Sequence, residues 1–151
     1  MTKRELKNFL KAKSLTELSD FNKIHIGCVA VLKSKVIGVG YNTYKTHPKQ
    51  KHFDSYRELT VSGAVDKMHS LHAEISCLIS IKNDNIPWDK VELYIYRKKS
   101  SKPFGLARPC PACMQMIKSK GIKHIYYTTE DGLAYENLAM NLLEEDNIES
   151  N

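Results

Sequence analysis

The sequence predicts an α/β protein: a three-layer α/β/α sandwich around a central mixed sheet. Three observations point to it. Stretches of helical and strand-like periodicity follow one another in the order α-β-β-α-β-α-β-α. The first two strands are separated only by the polar turn Lys33-Ser34-Lys35, which makes them an antiparallel hairpin. The later strands are separated by helical stretches, and such crossovers make parallel neighbours. The chain has 151 residues, 42% hydrophobic and 26% charged, the size and composition of one domain with a real core, so residues 1–151 read as one unit.

Each element has its own warrant. Leu6, Phe9, Leu10, Lys13 and Glu17 have helical spacing and predict an amphipathic helix. His25 to Leu32 is a β-type run rich in Val and Ile, and Val36 to Tyr41 is the second strand. Asn42 to Val65 is polar, basic and aromatic, with Pro48 and Gly63, and reads as a long functional loop. In Leu71 to Ile79, apolar residues at 71, 75, 78 and 79 share one helix face, and Asn83 to Pro87 ends that helix. Val91 to Tyr96 alternates as a strand does. Lys98 to Arg108 is a basic loop holding Pro103 and Gly105. Cys113 to Lys120 is a helix stopped by Gly121, Ile122 to Thr128 a strand, and Tyr135 to Glu145 a last helix.

The net charge of +6 conceals an asymmetry. Residues 1–129 hold all 23 Lys and Arg but only ten of the 17 acids, an excess of 13 positive charges. Such a body favours phosphate-bearing ligands, either a nucleotide or a polynucleotide. No apolar run is long enough to span a bilayer, so a membrane partner is not expected. Met1 to Glu5 has no apolar run behind it, which argues against a secretory signal and for a cytoplasmic protein with reduced cysteines. Cys28 and Cys77 sit in apolar runs and are expected in the core.

Two short segments carry chemistry: His72-Ala73-Glu74 and Pro109-Cys110-Pro111-Ala112-Cys113, each at the start of a helix. Cys-x-x-Cys brings two sulfurs to one metal ion, and a helix N-terminus favours their thiolate form. A histidine from a neighbouring helix completes three ligands, which leaves zinc a position for water, as catalytic sites require. Glu74 lies two residues past His72, near the metal and free to move protons. A redox pair or half of a structural zinc site are the other readings of Cys-x-x-Cys. His69, three positions before His72, is expected to cap the helix or face solvent.

The paired pattern H-x-E…P-C-x-x-C resembles the cytidine and deoxycytidylate deaminase superfamily, over roughly Ile24 to Thr128. The resemblance implies a cytidine deaminase-like fold, a homo-oligomer, and Zn2+ held by His72, Cys110 and Cys113. It makes Glu74 the proton shuttle in a hydrolysis that replaces C–NH2 by C=O and releases ammonia. It also implies that the backbone near Ala73 helps to position the base.

Gly38-Val39-Gly40-Tyr41-Asn42 is similar to the Gly-Tyr-Asn element of deoxycytidylate deaminases, which implies that Asn42 contacts the substrate. The loop that follows departs from that family's Gly, Pro and Arg turn. Its Lys45 and His47, with Lys49, Lys51 and His52, are expected to clamp a phosphate, and Tyr44, Phe53 and Tyr56 to stack on a base. The Arg97 to Arg108 loop is expected to approach phosphate from the opposite side, with Phe104 over the pocket.

The first reading is therefore a deaminase of a cytosine nucleotide such as dCMP. The second is a deaminase acting on cytosine or adenine within single-stranded DNA or RNA, tRNA included. A nonenzymatic nucleic-acid-binding module is the third, and the presence of Glu74 speaks against it.

Overall fold

The computed structural model describes residues 1–60, 69–100 and 104–139. Helix α1 (Lys3–Thr16) starts on a capping box: Thr2 Oγ1 accepts the Glu5 N–H at 3.1 Å and the Glu5 carboxylate accepts the Thr2 N–H at 2.9 Å. Strands β1 (His25–Leu32), β2 (Lys35–Tyr41) and β3 (Thr43–Thr46) follow, then α2 (Pro48–Thr60), β4 (Ser70–Leu71) and α3 (Ala73–Ser80). After a single 3-10 turn come β5 (Glu92–Lys98), α4 (Pro111–Lys120), β6 (His124–Thr129) and β7 (Gly132–Asn137).

Five strands form one mixed sheet in the order β2-β1-β5-β6-β7. The expected hairpin is present, and β5 and β6 pair in parallel with α4 between them. The other junctions, β1 with β5 and β6 with β7, are antiparallel, so the parallel part is one pair of strands. Alternate residues of β1 and β5 face opposite layers. Val29, Val31, Tyr94 and Tyr96 meet Phe9, Ala12 and Leu15 of α1 on one face. Cys28, Ala30, Leu93 and Ile95 meet Ile75, Leu78 and Ile117 of α3 and α4 on the other. This is the three-layer architecture expected, and Cys28 and Cys77 are fully buried core residues as anticipated.

Glycine sets how closely α3 approaches the sheet. A Cβ on Gly40 would lie 2.3 Å from the Cys77 nitrogen and 2.5 Å from the Ala73 carbonyl oxygen. Only glycine lets β2 touch the first turns of that helix.

Three expectations are corrected. In α1 the buried face is Asn8, Phe9, Ala12, Leu15 and Thr16, while Leu6 and Leu10 are 48% and 54% exposed. The leucines define a stripe that the sheet does not cover.

The stretch from Asn42 is not a plain loop, because it forms β3 and α2. Pro48 opens α2, and the inward positions Gln50, Phe53 and Asp54 are spaced for a helix although two of them are polar.

The last helix does not begin at Tyr135. Gly132, at φ 147, turns the chain back, and Tyr135 pairs with Tyr126 in the β6–β7 hairpin. The remainder of that expected helix, from residue 140 onward, lies outside the described residues. Among the described residues no helix is long and apolar enough to cross a membrane.

Candidate active site

His72 and Cys110 are the N-cap residues of α3 and α4, with extended backbones at φ −81, ψ 154 and φ −68, ψ 168. The His72 side chain makes no capping bond to its own helix. Pro111 starts α4 at the position where its missing N–H costs nothing. Because α3 and α4 lie on the same face of the sheet, their N-terminal ends meet. His72 Nδ1 is 3.5 Å from Cys110 Sγ and 3.3 Å from Cys113 Sγ.

These donors suit zinc. The ligand atoms of His72, Cys110 and Cys113 all lie within 4.8 Å of one another, the one such group among the described residues. In a tetrahedron built on ordinary Zn–S and Zn–N lengths, a sulfur and a nitrogen ligand lie about 3.6 Å apart. The two Cys–His separations are close to that edge. Two sulfurs and an imidazole are also a donor set that selects zinc over the harder divalent ions.

The charges are poised accordingly. A hydrogen bond from Cys113, helped by His72 against the opposing effect of burial, holds the Cys110 thiol down to about 4. Burial pushes the Cys113 thiol well up. Glu74, in the first turn of α3, is 5% exposed, and burial pushes its carboxyl up to about 7 against the opposing influence of His72. A carboxyl in that range gives and takes protons near neutrality.

Three of these groups, His72, Glu74 and Cys110, line a cavity of about 440 Å³, large enough for a small molecule. Ala73, His72, Glu74 and Cys110 lie along it together with Asn42, Phe21, Ile24, Ile26, Arg97, Leu106 and Arg108. Asn42 is held firmly: its Oδ1 accepts from the Ile26 N–H at 2.9 Å and from Ser19 Oγ at 2.6 Å, and its Nδ2 donates to the Ile24 carbonyl at 2.8 Å. The second Nδ2 hydrogen makes no bond among the described residues. The pairing of β3 with β4, which joins Thr43 to Leu71, brings Asn42 and His72 to neighbouring places on the rim.

The structure does not bring every expected residue here. Lys45 and His47 are not among the residues lining this cavity; Lys45 is exposed on β3, and His47 Nδ1 accepts the Lys49 N–H at 3.1 Å at the start of α2. Tyr44, which does not line the cavity, stacks on the lining residue Phe21 with ring centres 4.6 Å apart. Phe53 and Tyr56 stack on each other with centres 6.2 Å apart. Phe104 packs edge-on against Tyr96, with the cluster beneath α1, and not over the pocket. In the second basic loop, Lys98 and Lys99 are paired with Glu17 and Glu130 at 2.7 and 2.8 Å.

Two arginines of that stretch do reach the cavity. Arg108 grips Glu136 through Nε at 2.6 Å and Nη2 at 3.2 Å. Arg97 donates from Nη1 to the Leu106 carbonyl at 3.4 Å, and its buried Nε has no hydrogen-bond partner among the described residues. Phe21, Ile24 and Ile26 were not legible as wall residues. They lie in or just before the start of β1, and no periodicity marks them.

Comparison with known proteins agrees with this geometry. Residues 3–129 match the family described as the cytidine and deoxycytidylate deaminase zinc-binding region. The fold is similar to the apo crystal structure of dCMP deaminase from the cyanophage S-TIM5, at 20% identity and a TM-score of 0.58, covering 85% of this chain and 86% of that one. It is also similar to cytidine deaminase from Burkholderia pseudomallei, at 15% identity and a TM-score of 0.58, covering 91% and 93%. No curated protein sequence matches the chain.

Proposed function

As a member of the cytidine and deoxycytidylate deaminase family this chain is a zinc-dependent hydrolytic deaminase, and we propose that its substrate is a free cytosine nucleotide such as dCMP. The observation that carries the proposal is the cavity itself. Its lining includes His72 and Cys110 of a zinc-type ligand set, the buried carboxyl of Glu74 and two arginines, Arg97 and Arg108.

His72, Cys110 and Cys113 would hold the ion. Bound there, zinc supplies a Lewis acid that acidifies water at its open position. Glu74 takes the proton of the attacking water and hands it to the ring nitrogen of the base. The water oxygen bonds to the amine-bearing carbon. Glu74 then takes the proton of the hydroxyl now on that carbon and passes it to the amine; the C=O forms as the C–N bond breaks, and ammonia and the uracil nucleotide leave. The burial of Glu74 raises its basicity enough for it to act in both directions. Ala73, fully buried, leaves room for the flat base against the α3 backbone. Asn42 offers its remaining Nδ2–H to the sugar, and Arg97 with Arg108 meets the phosphate.

A relative supports the nucleotide reading: the S-TIM5 enzyme has also been solved in complex with dCMP and dUMP. The test is to incubate zinc-loaded protein with dCMP, with deoxycytidine and with a cytosine-containing single-stranded oligonucleotide, and to follow conversion by mass spectrometry. The proposal expects dCMP to turn over fastest and the oligonucleotide not at all. Turnover of the oligonucleotide alone would overturn it and make the basic surface a strand-binding groove.

A further inference from the structure

Behind the metal-ligand set lies a buried polar chain that the reaction does not use. Gln50 and Asp54, one helical turn apart on α2, are both 0% exposed. Gln50 Oε1 accepts the backbone N–H of His72 at 3.0 Å. Gln50 Nε2 donates to Asp54 Oδ1 at 2.7 Å, and Asp54 Oδ2 bonds His69 Nδ1 at 2.6 Å. His69 itself sits at φ 47, a conformation that a non-glycine residue keeps only where its surroundings insist on it. The chain of bonds therefore leaves the segment before α3 at His69, passes through two buried side chains of α2, and returns to that segment at His72.

A buried amide and carboxylate are poor core filler. They are retained at the cost of desolvation and are tolerated only when fully hydrogen-bonded. Here the last bond of the network ends on the backbone of a residue whose ring faces both cysteine sulfurs. The same helix packs on α4, which carries Cys113. We infer that Gln50, oriented by Asp54 and His69, is a positioning residue that fixes the His72 backbone and so sets the metal-ligand geometry. This rests on reading His72, Cys110 and Cys113 as the zinc ligands. Asp54 locks which end of the Gln50 amide faces His72, since the carboxylate accepts only from the NH2 side. His69 in turn holds Asp54. Outer partners of this kind typically change metal affinity by about 10–100-fold when removed.

The test uses the full chain and reads metal binding, not turnover. Zinc affinity is measured by chelator competition, and the visible absorption of the Co2+-substituted protein reports ligand geometry. Gln50→Leu keeps the core filled but removes the acceptor; the expected result is about tenfold weaker zinc binding with shifted Co2+ bands. A double variant, Gln50→Glu with Asp54→Asn, rebuilds the network with the donor reversed. Its carboxylate at position 50 still accepts from the His72 N–H. Its amide at position 54 donates to that carboxylate while accepting from His69. This pair is expected to restore both readouts. Wild-type affinity and spectrum in Gln50→Leu, or a double variant as weak as Gln50→Leu, would overturn the inference. If instead His72→Ala binds zinc as the wild type does, the ligand reading fails first, which separates the two failures.

Discussion

His72 Nδ1 and Cys113 Sγ lie 3.3 Å apart although 41 positions separate them in the chain. Two helices bring them there by starting side by side on one face of the sheet. The consequence is a candidate ligand set, and sets with this donor chemistry bind zinc tightly. The purified protein is expected to carry one zinc per chain. Cys110→Ala and His72→Ala should each lose it, as measured by metal analysis, because two ligands remain where three are needed. Full occupancy in Cys110→Ala would remove that cysteine from the ligand set.

Arg97 should separate nucleotide from nucleoside. It lines the cavity and carries a permanent positive charge, the group that a nucleotide's phosphate requires and a nucleoside does not. A hydrogen bond to a charged group contributes about 1.5–3 kcal/mol, so Arg97→Gln should raise the KM for dCMP by about 10–100-fold. The KM for deoxycytidine should stay near its wild-type value. An equal rise for both substrates in steady-state kinetics would place Arg97 away from the phosphate.

Gly40→Ala tests the close packing that seats α3. The added Cβ would meet backbone atoms of Cys77 and Ala73, which cannot swing aside as a side-chain tip can. Overpacking of this kind costs about 1–3 kcal/mol. Thermal unfolding should show a midpoint lowered by about 2–4 °C for each kcal/mol lost. Zinc affinity should fall as well, because the N-terminus of α3 carries His72. An unchanged midpoint would mean that β2 can retreat from the helix at no cost.

How much of this was legible in the sequence depends on how local each signal was. His72, Glu74, Cys110 and Cys113 sit in two contiguous motifs, and the structure brings the three metal-type ligands together. The hairpin, the helix after His72 and the helix after Cys110 follow from apolar spacing alone. Helix α2 did not show because its inner face includes Gln50 and Asp54, so hydrophobic periodicity is weak there. Strand β7 was hidden because Tyr135 to Ala139 is a plausible helical run; what decides the matter is the pairing of Tyr135 with Tyr126 across the turn at Gly132. Leu6 and Leu10 misled for the opposite reason, being apolar where no neighbour covers them. Arg97 and Arg108 were visible only as part of a basic loop. Their place along the cavity arises from tertiary contact, on which spacing is silent.

Glu74 carries the central claim, and Glu74→Gln tests it most directly. Glutamine keeps the shape of the side chain but cannot take a proton from water or return one to the amine. Zinc content and ammonia release would be measured together on the same preparation. The expected result is one zinc per chain with deamination of dCMP slowed by about 10²–10⁴-fold, the usual contribution of a positioned acid-base group. Zinc-loaded Glu74→Gln that deaminates at the wild-type rate would contradict the account.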